Sequence, residues 1–187
     1  MRSSDDYRDR LRAIKKNQRA AWETGDYTRV GNTLQIMAER LVEAADVRAG
    51  QKVLDVACGQ GNVALAAALR FAEATGVDYA VNLLERGRAR AAAERLDVTF
   101  IEGDAEDLPV PDASFHATLS TVGVMFAPNQ QRAAGELVRV TVPGGTIGHA
   151  SWTPTGMIGN LFKTVSGWNR PPARGSSRRR CGARRSG

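Results

Sequence analysis

The sequence predicts an α/β protein built on an open, mostly parallel, twisted sheet with helices on both of its faces. Three observations lead to this prediction. Short apolar runs alternate with helical segments of about ten to fifteen residues, the spacing of strand–helix–strand units. The glycine turn "CGQGN" follows the first apolar run. Acidic side chains stand at or near the ends of three successive runs, at Asp55, Asp78 and Asp104.

Two N-terminal helices precede the first strand. Residues 5–22 are polar and helix-permissive, with few apolar side chains. Residues 33–46 place apolar side chains at the i, i+3, i+4, i+7 spacing of one buried helix face. These side chains are Leu34, Met37, Ala38, Leu41, Val42 and Ala45.

Five strands and three further helices follow in alternation. Apolar runs indicate the strands, and alanine-rich or amphipathic patterns indicate the helices. The predicted strands are Val53–Ala57, Glu73–Val77, Val98–Glu102, Phe115–Thr121 and Thr146–Ala150, the last preceded by a "PGG" turn. The predicted helices are Asn62–Arg70, Asn82–Leu96 and Asn129–Val140.

The charge of the chain is concentrated in its tail. Residues 170–187 hold seven arginines and no acid, and removing them from the net charge of +6 leaves −1 for residues 1–169. A nucleic-acid binder needs its basic face on the folded domain, so we predict no nucleic-acid partner. The tail has no large apolar side chain, which predicts disorder.

The apolar runs, the N-terminus and the cysteines bear on localisation and on metal binding. No apolar run approaches the roughly 20 residues that cross a bilayer, and the charged N-terminus lacks a signal-peptide core. We therefore expect a cytoplasmic protein without a membrane partner. Its two cysteines, Cys58 and Cys181, give neither a disulfide framework nor metal-ligand spacing, so no metal is predicted.

The glycine turn raises the question of its ligand. Gly59, Gly61 and Ala64 fit the G-x-G-x-x-G/A pattern of dinucleotide binders. Asp55, four residues earlier, would repel a pyrophosphate but would attract the ammonium of S-adenosylmethionine, directly or through water. The alternative interpretation is that Asp55 only bonds backbone at the strand end.

Two further acids extend this hypothesis. Asp78 lies 19 residues after Gly59, where an acid can accept both ribose hydroxyls. Asp104 can accept the exocyclic amine of adenine, and the backbone N–H of Ala105 can donate to a ring nitrogen. The carboxyl ends of parallel strands are where open α/β sheets bind ligands.

Four segments together resemble class I S-adenosylmethionine-dependent methyltransferases. They are "VLDVACGQGN", "GVDYAVNLLERGRARA", "IEGDAEDLPVPDASFHA" and "VMFAPNQQRAAGELVRVTVPGG". The resemblance is to small-molecule enzymes of the ubiquinone/menaquinone-biosynthesis type (methyltransferase type 11 domain). It implies a Rossmann-like fold, S-adenosyl-L-methionine as cofactor, and in-line methyl transfer to a small-molecule acceptor.

The resemblance also implies roles for individual residues. Trp22, Tyr27 and Gln35 are implied as lid contacts, with helix docking as the alternative for the two aromatic residues. His116 stands where the family usually has an acid, and we interpret it and His149 as structural, so no catalytic residue is assigned. The implied cofactor contacts are Asp55, Ala57, Gly59, Gly61, Asp78, Tyr79, Asp104, Ala105 and Ser120.

The resemblance predicts three regions and an incomplete sheet. Residues 1–48 are expected to cover the cofactor site, 49–167 to form the core, and 168–187 to be a non-homologous, disordered tail. The family has seven strands and five are recognisable here, which we interpret as truncation or a reading-frame change near Gly167. Low stability and little turnover are expected in consequence.

Two rival functions stay open from the sequence. A nicotinamide-dependent oxidoreductase would use the same glycine turn, although Asp55 argues against it. A methyltransferase-like remnant that binds cofactor weakly without catalysis would fit the incomplete sheet.

Overall fold

The computed structural model describes residues 4–24 and 27–168. Contacts divide the chain into two units, Met1–Ser151 and Trp152–Gly187. The first unit holds the whole sheet, and the second holds one described helix. The predicted region boundaries at residues 48 and 167 stay predictions, and nearly all of the predicted disordered tail lies outside the described residues.

The first unit has six helices and five strands among its described residues. The helices are α1 Ser4–Thr24, α2 Tyr27–Thr33, α3 Gln35–Ala44, α4 Asn62–Ala68, α5 Val81–Glu94 and α6 Gln130–Val140. The strands are β1 Lys52–Val56, β2 Glu73–Asp78, β3 Val98–Glu102, β4 Phe115–Thr121 and β5 Thr141–Ala150. A 3-10 turn, Val124–Phe126, follows β4.

The five strands form one parallel sheet in the order β3-β2-β1-β4-β5. β1 is central, and four of its five residues are buried, as expected for a parallel strand covered on both faces. This confirms the predicted fold class: an open parallel sheet with helices on both sides.

Alternate side chains of β1 supply two separate cores. Val53 packs in a cluster with residues of α3 and α4, including Val42 and Val63. Leu54 and Val56 face the opposite side, in a cluster that contains Leu137 of α6. The helices therefore cover both faces of the sheet and leave its carboxyl edge for the glycine turn.

Two elements differ from the sequence prediction. The helix α2 was not predicted, because its seven residues include Val30 as the only large aliphatic side chain. β5 begins at Thr141, directly after α6, and not at Thr146. The "PGG" segment lies inside β5 as an irregularity, where Gly144 has φ +79° and the pairing with β4 shifts register.

The ring of Phe100 occupies a space that three glycines leave free. A Cβ placed on Gly61 or on Gly87 would lie 2.7 Å from this ring, and one on Gly76 would lie 3.1 Å from it. The glycine turn, β2 and α5 thus approach the same aromatic side chain of β3, which is 8% exposed. Packing under the turn consequently requires glycine at these positions.

The second unit contains α7, Met157–Trp168. Several apolar side chains of this helix are at least 47% exposed, namely Met157, Leu161, Phe162 and Val165. Within residues 4–24 and 27–168, no helix is both long and apolar enough to cross a bilayer.

Substituting two helical glycines tests the packing of Phe100. Gly87→Ala would place a methyl group 2.7 Å from the ring of Phe100 and 3.3 Å from the backbone oxygen of Gln60. We expect this change to lower the free energy of unfolding by about 1–3 kcal/mol, the usual cost of overpacking. Urea denaturation monitored by circular dichroism measures it.

Gly135→Ala in α6 is the matched control, since nothing lies within 4 Å of its Cβ position. We expect this variant to gain about 0.5–1 kcal/mol, because alanine replaces glycine in a helix without a clash. Equal effects of the two substitutions would contradict the assigned packing.

Candidate functional site

The parallel strands bring the predicted acids to one edge of the sheet. Asp78 is the last residue of β2 and pairs in register with Glu102, the last residue of β3. Asp55 in β1 pairs with Gly76 on one side and with Leu119 on the other. Asp104 follows the end of β3 after one residue, Gly103. The glycine turn, Asp78 and Asp104 therefore lie at the carboxyl ends of neighbouring strands.

Asp55 lies beneath the glycine turn and is 2% exposed. Its Oδ2 accepts a hydrogen bond of 3.0 Å from the Ala64 N–H, and the Val63 N–H also donates to the carboxyl group. These amides belong to the first turn of α4, so Asp55 caps that helix from the neighbouring strand. The side chain bonds backbone, as the alternative interpretation had it, and a contact with a ligand ammonium stays a prediction.

Burial dominates the ionisation of Asp55. Removal from water raises the pKa of Asp55 to about 8, and the charge of Asp78 acts in the same direction against the two amide hydrogen bonds. A nearby cation would favour the ionised carboxylate, so the group is suited to respond to a positively charged ligand.

Asp78 fixes the other side of the glycine turn. Its Oδ2 accepts from the Gly59 N–H at 2.8 Å, and its Oδ1 accepts from the Ala80 N–H at 2.8 Å. Burial raises the pKa of Asp78, although hydrogen bonds from backbone amides oppose this effect. The Tyr79 N–H also donates to this carboxyl group, so about one of its roughly four lone-pair sites is left for a further donor.

The turn itself leaves room for a ligand. Ala57 and Gly59 have φ of +52° and +54°, in the left-handed region. A Cβ on Gly59 would meet no atom closer than 4.0 Å, so open space lies beside it. Gly61 differs, because its space is filled by Phe100. Open space thus lies beside the Cβ position of Gly59 and not beside that of Gly61, and the predicted cofactor contact of each glycine stays a prediction.

Ser120 and Ala105 hold the surrounding backbone. The hydroxyl of Ser120 donates to the Val56 carbonyl at 2.7 Å and accepts from the Val124 N–H at 3.1 Å. This side chain is fully buried and ties the end of β4 to β1. Ala105 is buried in the cluster that contains Leu54. The predicted contact of each residue with a cofactor stays a prediction.

A cationic residue that sequence analysis did not single out lies against Asp104. The Nζ of Lys15 in α1 is 2.5 Å from Asp104 Oδ2 and 2.7 Å from Glu106 Oε2. Burial lowers the pKa of Lys15, but hydrogen bonds to the two acids and their charges outweigh burial, so that on balance the pKa is raised. In a mostly polar helix, no sequence signal distinguishes this lysine from its neighbours.

A cavity of about 450 Å³ opens beside this contact. Burial raises the pKa of Tyr79 in its wall to about 12, and the charges of Asp78 and Asp104 add to the effect. The residues that line the cavity are Lys15, Lys16, Arg19, Tyr79, Glu102, Gly103 and Asp104. It lies at the ends of β2 and β3, where the predicted nucleoside contacts are.

The N-terminal helices contact this edge through aromatic and amide groups. Trp22 lies 4.5 Å from Tyr27 and 5.4 Å from Phe126, measured between ring centroids. These contacts fit the helix-docking interpretation of the two aromatic residues. Gln35 is exposed and donates to Glu39 within α3, so nothing in its contacts relates to the glycine turn.

The helix α2 bonds directly to the glycine turn. Gln60 Nε2 donates to Asn32 Oδ1 at 3.0 Å, and Asn62 Nδ2 donates to the Gly31 carbonyl at 2.8 Å. Gln60 is 5% exposed, and its Oε1 has no hydrogen-bond partner among the described residues. Sequence analysis missed Gln60 because an amide between two glycines carries no pattern of its own.

The two histidines lie at opposite edges of the sheet. His116 Nδ1 accepts from the Lys52 N–H at 2.9 Å, which places it at the amino end of β1 and so at the edge opposite the site. His149 is an exposed residue near the carboxyl end of β5, where it pairs in register with Ser120. The geometry of His116 agrees with a structural role.

Asp55 gives the protein a pH-dependent stability that Asp55→Asn should remove. The pKa is higher in the folded chain than in the unfolded one, so the folded state holds the proton more tightly and wild-type stability falls as pH rises from about 4 to 8. Raising a pKa by one pH unit corresponds to about 1.4 kcal/mol, so we expect Asp55→Asn to exceed wild type by several kcal/mol at pH 9.

Urea denaturation from pH 4 to pH 9 measures this difference. Near pH 4 the two proteins should be about equally stable, because Asp55 is then neutral and asparagine keeps an acceptor for Ala64. A difference that stays constant across this range would show that Asp55 does not titrate as described.

The sequence and the fold of this chain were compared with those of known proteins. The profile of a methyltransferase domain family matches residues 53–145. A Mycobacterium tuberculosis protein named only as uncharacterized is 45% identical over 148 residues, which are 79% of this chain and 54% of that protein. The chain thus spans about half the length of the curated relatives it matches.

A demethylmenaquinone methyltransferase of Thermus thermophilus is 39% identical over 110 residues, or 58% of this chain and 50% of that enzyme. Among solved structures, a candidate S-adenosyl-L-methionine-dependent methyltransferase from Methanococcus maripaludis shares the fold. It matches with a TM-score of 0.59 at 21% identity, over 82% of this chain and 69% of that chain. Residues 53–145 of this chain therefore form a methyltransferase domain, on the fold of the S-adenosylmethionine-dependent enzymes.

Proposed function

We propose that this chain is an S-adenosylmethionine-dependent methyltransferase that acts on a small molecule. The observation that carries the proposal is the cap on α4. Asp55 already bonds the Val63 and Ala64 amides, which would otherwise be available to a pyrophosphate at the helix N-terminus. The carboxyl groups of Asp55 and Asp78 lie against the glycine turn. The turn therefore suits a ligand with positive charges and disfavours a dinucleotide.

The residues at the sheet edge support this choice of cofactor. Asp78 has acceptor capacity left for a ribose hydroxyl after bonding the Gly59, Tyr79 and Ala80 amides. Asp104 borders the cavity at the end of β3, in reach of an exocyclic amine. The open space beside Gly59 would let a ligand approach the backbone.

When bound, this cofactor supplies a methyl group that is already activated by its sulfonium. The chain then has to bind and orient the two reactants and exclude water, and it needs no strong general base for this. The stack of Trp22, Tyr27 and Phe126 supports the exclusion of water, because it places apolar rings between α1, α2 and the turn after β4.

For the acceptor we propose a small apolar or phenolic molecule. The identity of 39% to a demethylmenaquinone methyltransferase supports an aromatic acceptor of the quinol type. Transfer of a labelled methyl group from S-adenosylmethionine to a panel of quinols, phenols and amines tests it. Labelling of amines alone would contradict this choice.

Isothermal titration calorimetry tests the cofactor. We expect saturable binding of S-adenosylhomocysteine and no binding of NADH at the same concentrations. Binding of NADH in preference to S-adenosylhomocysteine would overturn the proposal in favour of an oxidoreductase.

Asp78→Ala should weaken the binding of S-adenosylhomocysteine by about 1.5–3 kcal/mol, the scale of hydrogen bonds to a charged group. Because Asp78 also bonds Gly59 and Ala80, Asp78→Asn serves as a second variant that keeps one acceptor oxygen and should lose less. The exposed acid Asp97 supplies the control, since Asp97→Ala leaves the sheet edge unchanged. Unchanged affinity in a folded Asp78→Ala protein would refute the ribose assignment.

A further inference from the structure

Lys15 joins two acids that have different surroundings. Glu106 is almost completely buried, with a side chain 4% exposed, and its Oε1 accepts from the Asn129 N–H at 2.7 Å. Asp104 is 35% exposed and borders the cavity. Its Oδ1 accepts from the Glu106 N–H at 2.9 Å, and its Oδ2 receives Lys15. Glu106 is thus held by buried contacts, while Asp104, whose Oδ2 pairs with Lys15, lies beside the cavity.

The helix that carries Lys15 is held mainly by polar contacts. None of the α1 side chains described, from Tyr7 onward, is buried. Arg19 pairs with Glu102 at 2.9 Å, and Gln18 donates to the Phe126 carbonyl at 3.1 Å. An element with few buried apolar contacts costs little free energy to displace, so its position depends on these ion pairs.

Two hydrogen-bond donors, the Lys15 ammonium and a nucleoside amine, would compete for Oδ2 of Asp104. An exocyclic amine of a nucleoside would donate one hydrogen bond to the Asp104 carboxylate, and the Lys15 ammonium already donates to its Oδ2 at 2.5 Å. Oδ2 has two lone pairs, but an oxygen that already accepts from an ammonium is a weaker acceptor for a neutral amine, so the two donors compete for it. A second acceptor for Lys15 already stands 2.7 Å away at Glu106, so the lysine can release Asp104 without losing its only partner.

We propose that Lys15 occupies the Asp104 carboxylate until a nucleoside amine replaces it, and that Lys15 then remains paired with Glu106. This inference rests on the proposed function for the identity of the nucleoside. It predicts that the bond between Lys15 and Asp104 lowers the affinity for a nucleoside, because the ligand has to displace the ammonium from the carboxylate.

Lys15→Met tests the exchange, because methionine keeps most of the aliphatic stem and removes the ammonium. We expect the affinity for adenosine and for S-adenosylhomocysteine to rise by about two- to ten-fold, the scale of a half-exposed charged hydrogen bond. A residue that only stabilised the fold would lower affinity when removed, so the direction of the change is informative.

Arg19→Met is the matched control, since Arg19 also ties α1 to the end of β3 but pairs with Glu102 and not with Asp104. Both variants should speed amide hydrogen exchange of α1 in the ligand-free protein. Only Lys15→Met should bind nucleoside more tightly. Equal or lower affinity in Lys15→Met, or the same gain in Arg19→Met, would overturn the exchange.

The two ligands separate this inference from the proposed function. Tighter adenosine binding by Lys15→Met without any S-adenosylhomocysteine binding would support the exchange and refute the cofactor. Binding of S-adenosylhomocysteine that is insensitive to Lys15→Met would support the cofactor and refute the exchange. A wild-type protein and a Lys15→Met protein that bind neither ligand would refute both.

Discussion

The carboxyl group of Asp55, buried between β1 and the first turn of α4, determines the shape of the ligand site. It bonds the amides that begin the helix, while Asp78 bonds the Gly59 amide from the other side. The glycine turn is therefore held at two points by acids from adjacent strands. Removing either acid would leave buried N–H groups unpaired, which costs more than an average hydrogen bond contributes.

This arrangement reverses the usual use of a glycine turn before a helix. In dinucleotide binders the helix N-terminus receives a ligand anion, whereas here a carboxyl group of the protein accepts from the first amides of the helix. Under the proposed function, the remaining ligand contacts come from the acids of β2 and β3 and from the backbone that borders open space beside Gly59. These groups are hydrogen-bond acceptors, which suits a ligand with donors and positive charges.

Much of this was predictable from the sequence, because local patterns determine it. The five strands follow from apolar runs, and the acids follow from their positions at strand ends. The start of β5 at Thr141 was not predictable, since "PGG" is a turn signal that sheet pairing overrides. The contact of Lys15 with Asp104 joins residues 89 positions apart, and no periodicity encodes such a pair.

The absence of a loop between α6 and β5 has a mechanical consequence. Thr141 Oγ1 donates to the Leu137 carbonyl at 2.6 Å and is 2.7 Å from Thr118 Oγ1, so the helix end, the outer strand and β4 are joined at one point. At its other end, α6 begins beside Asn129, whose amide bonds Glu106. The helix thus connects Glu106 at the site with the outer edge of the sheet, through hydrogen bonds at both of its ends.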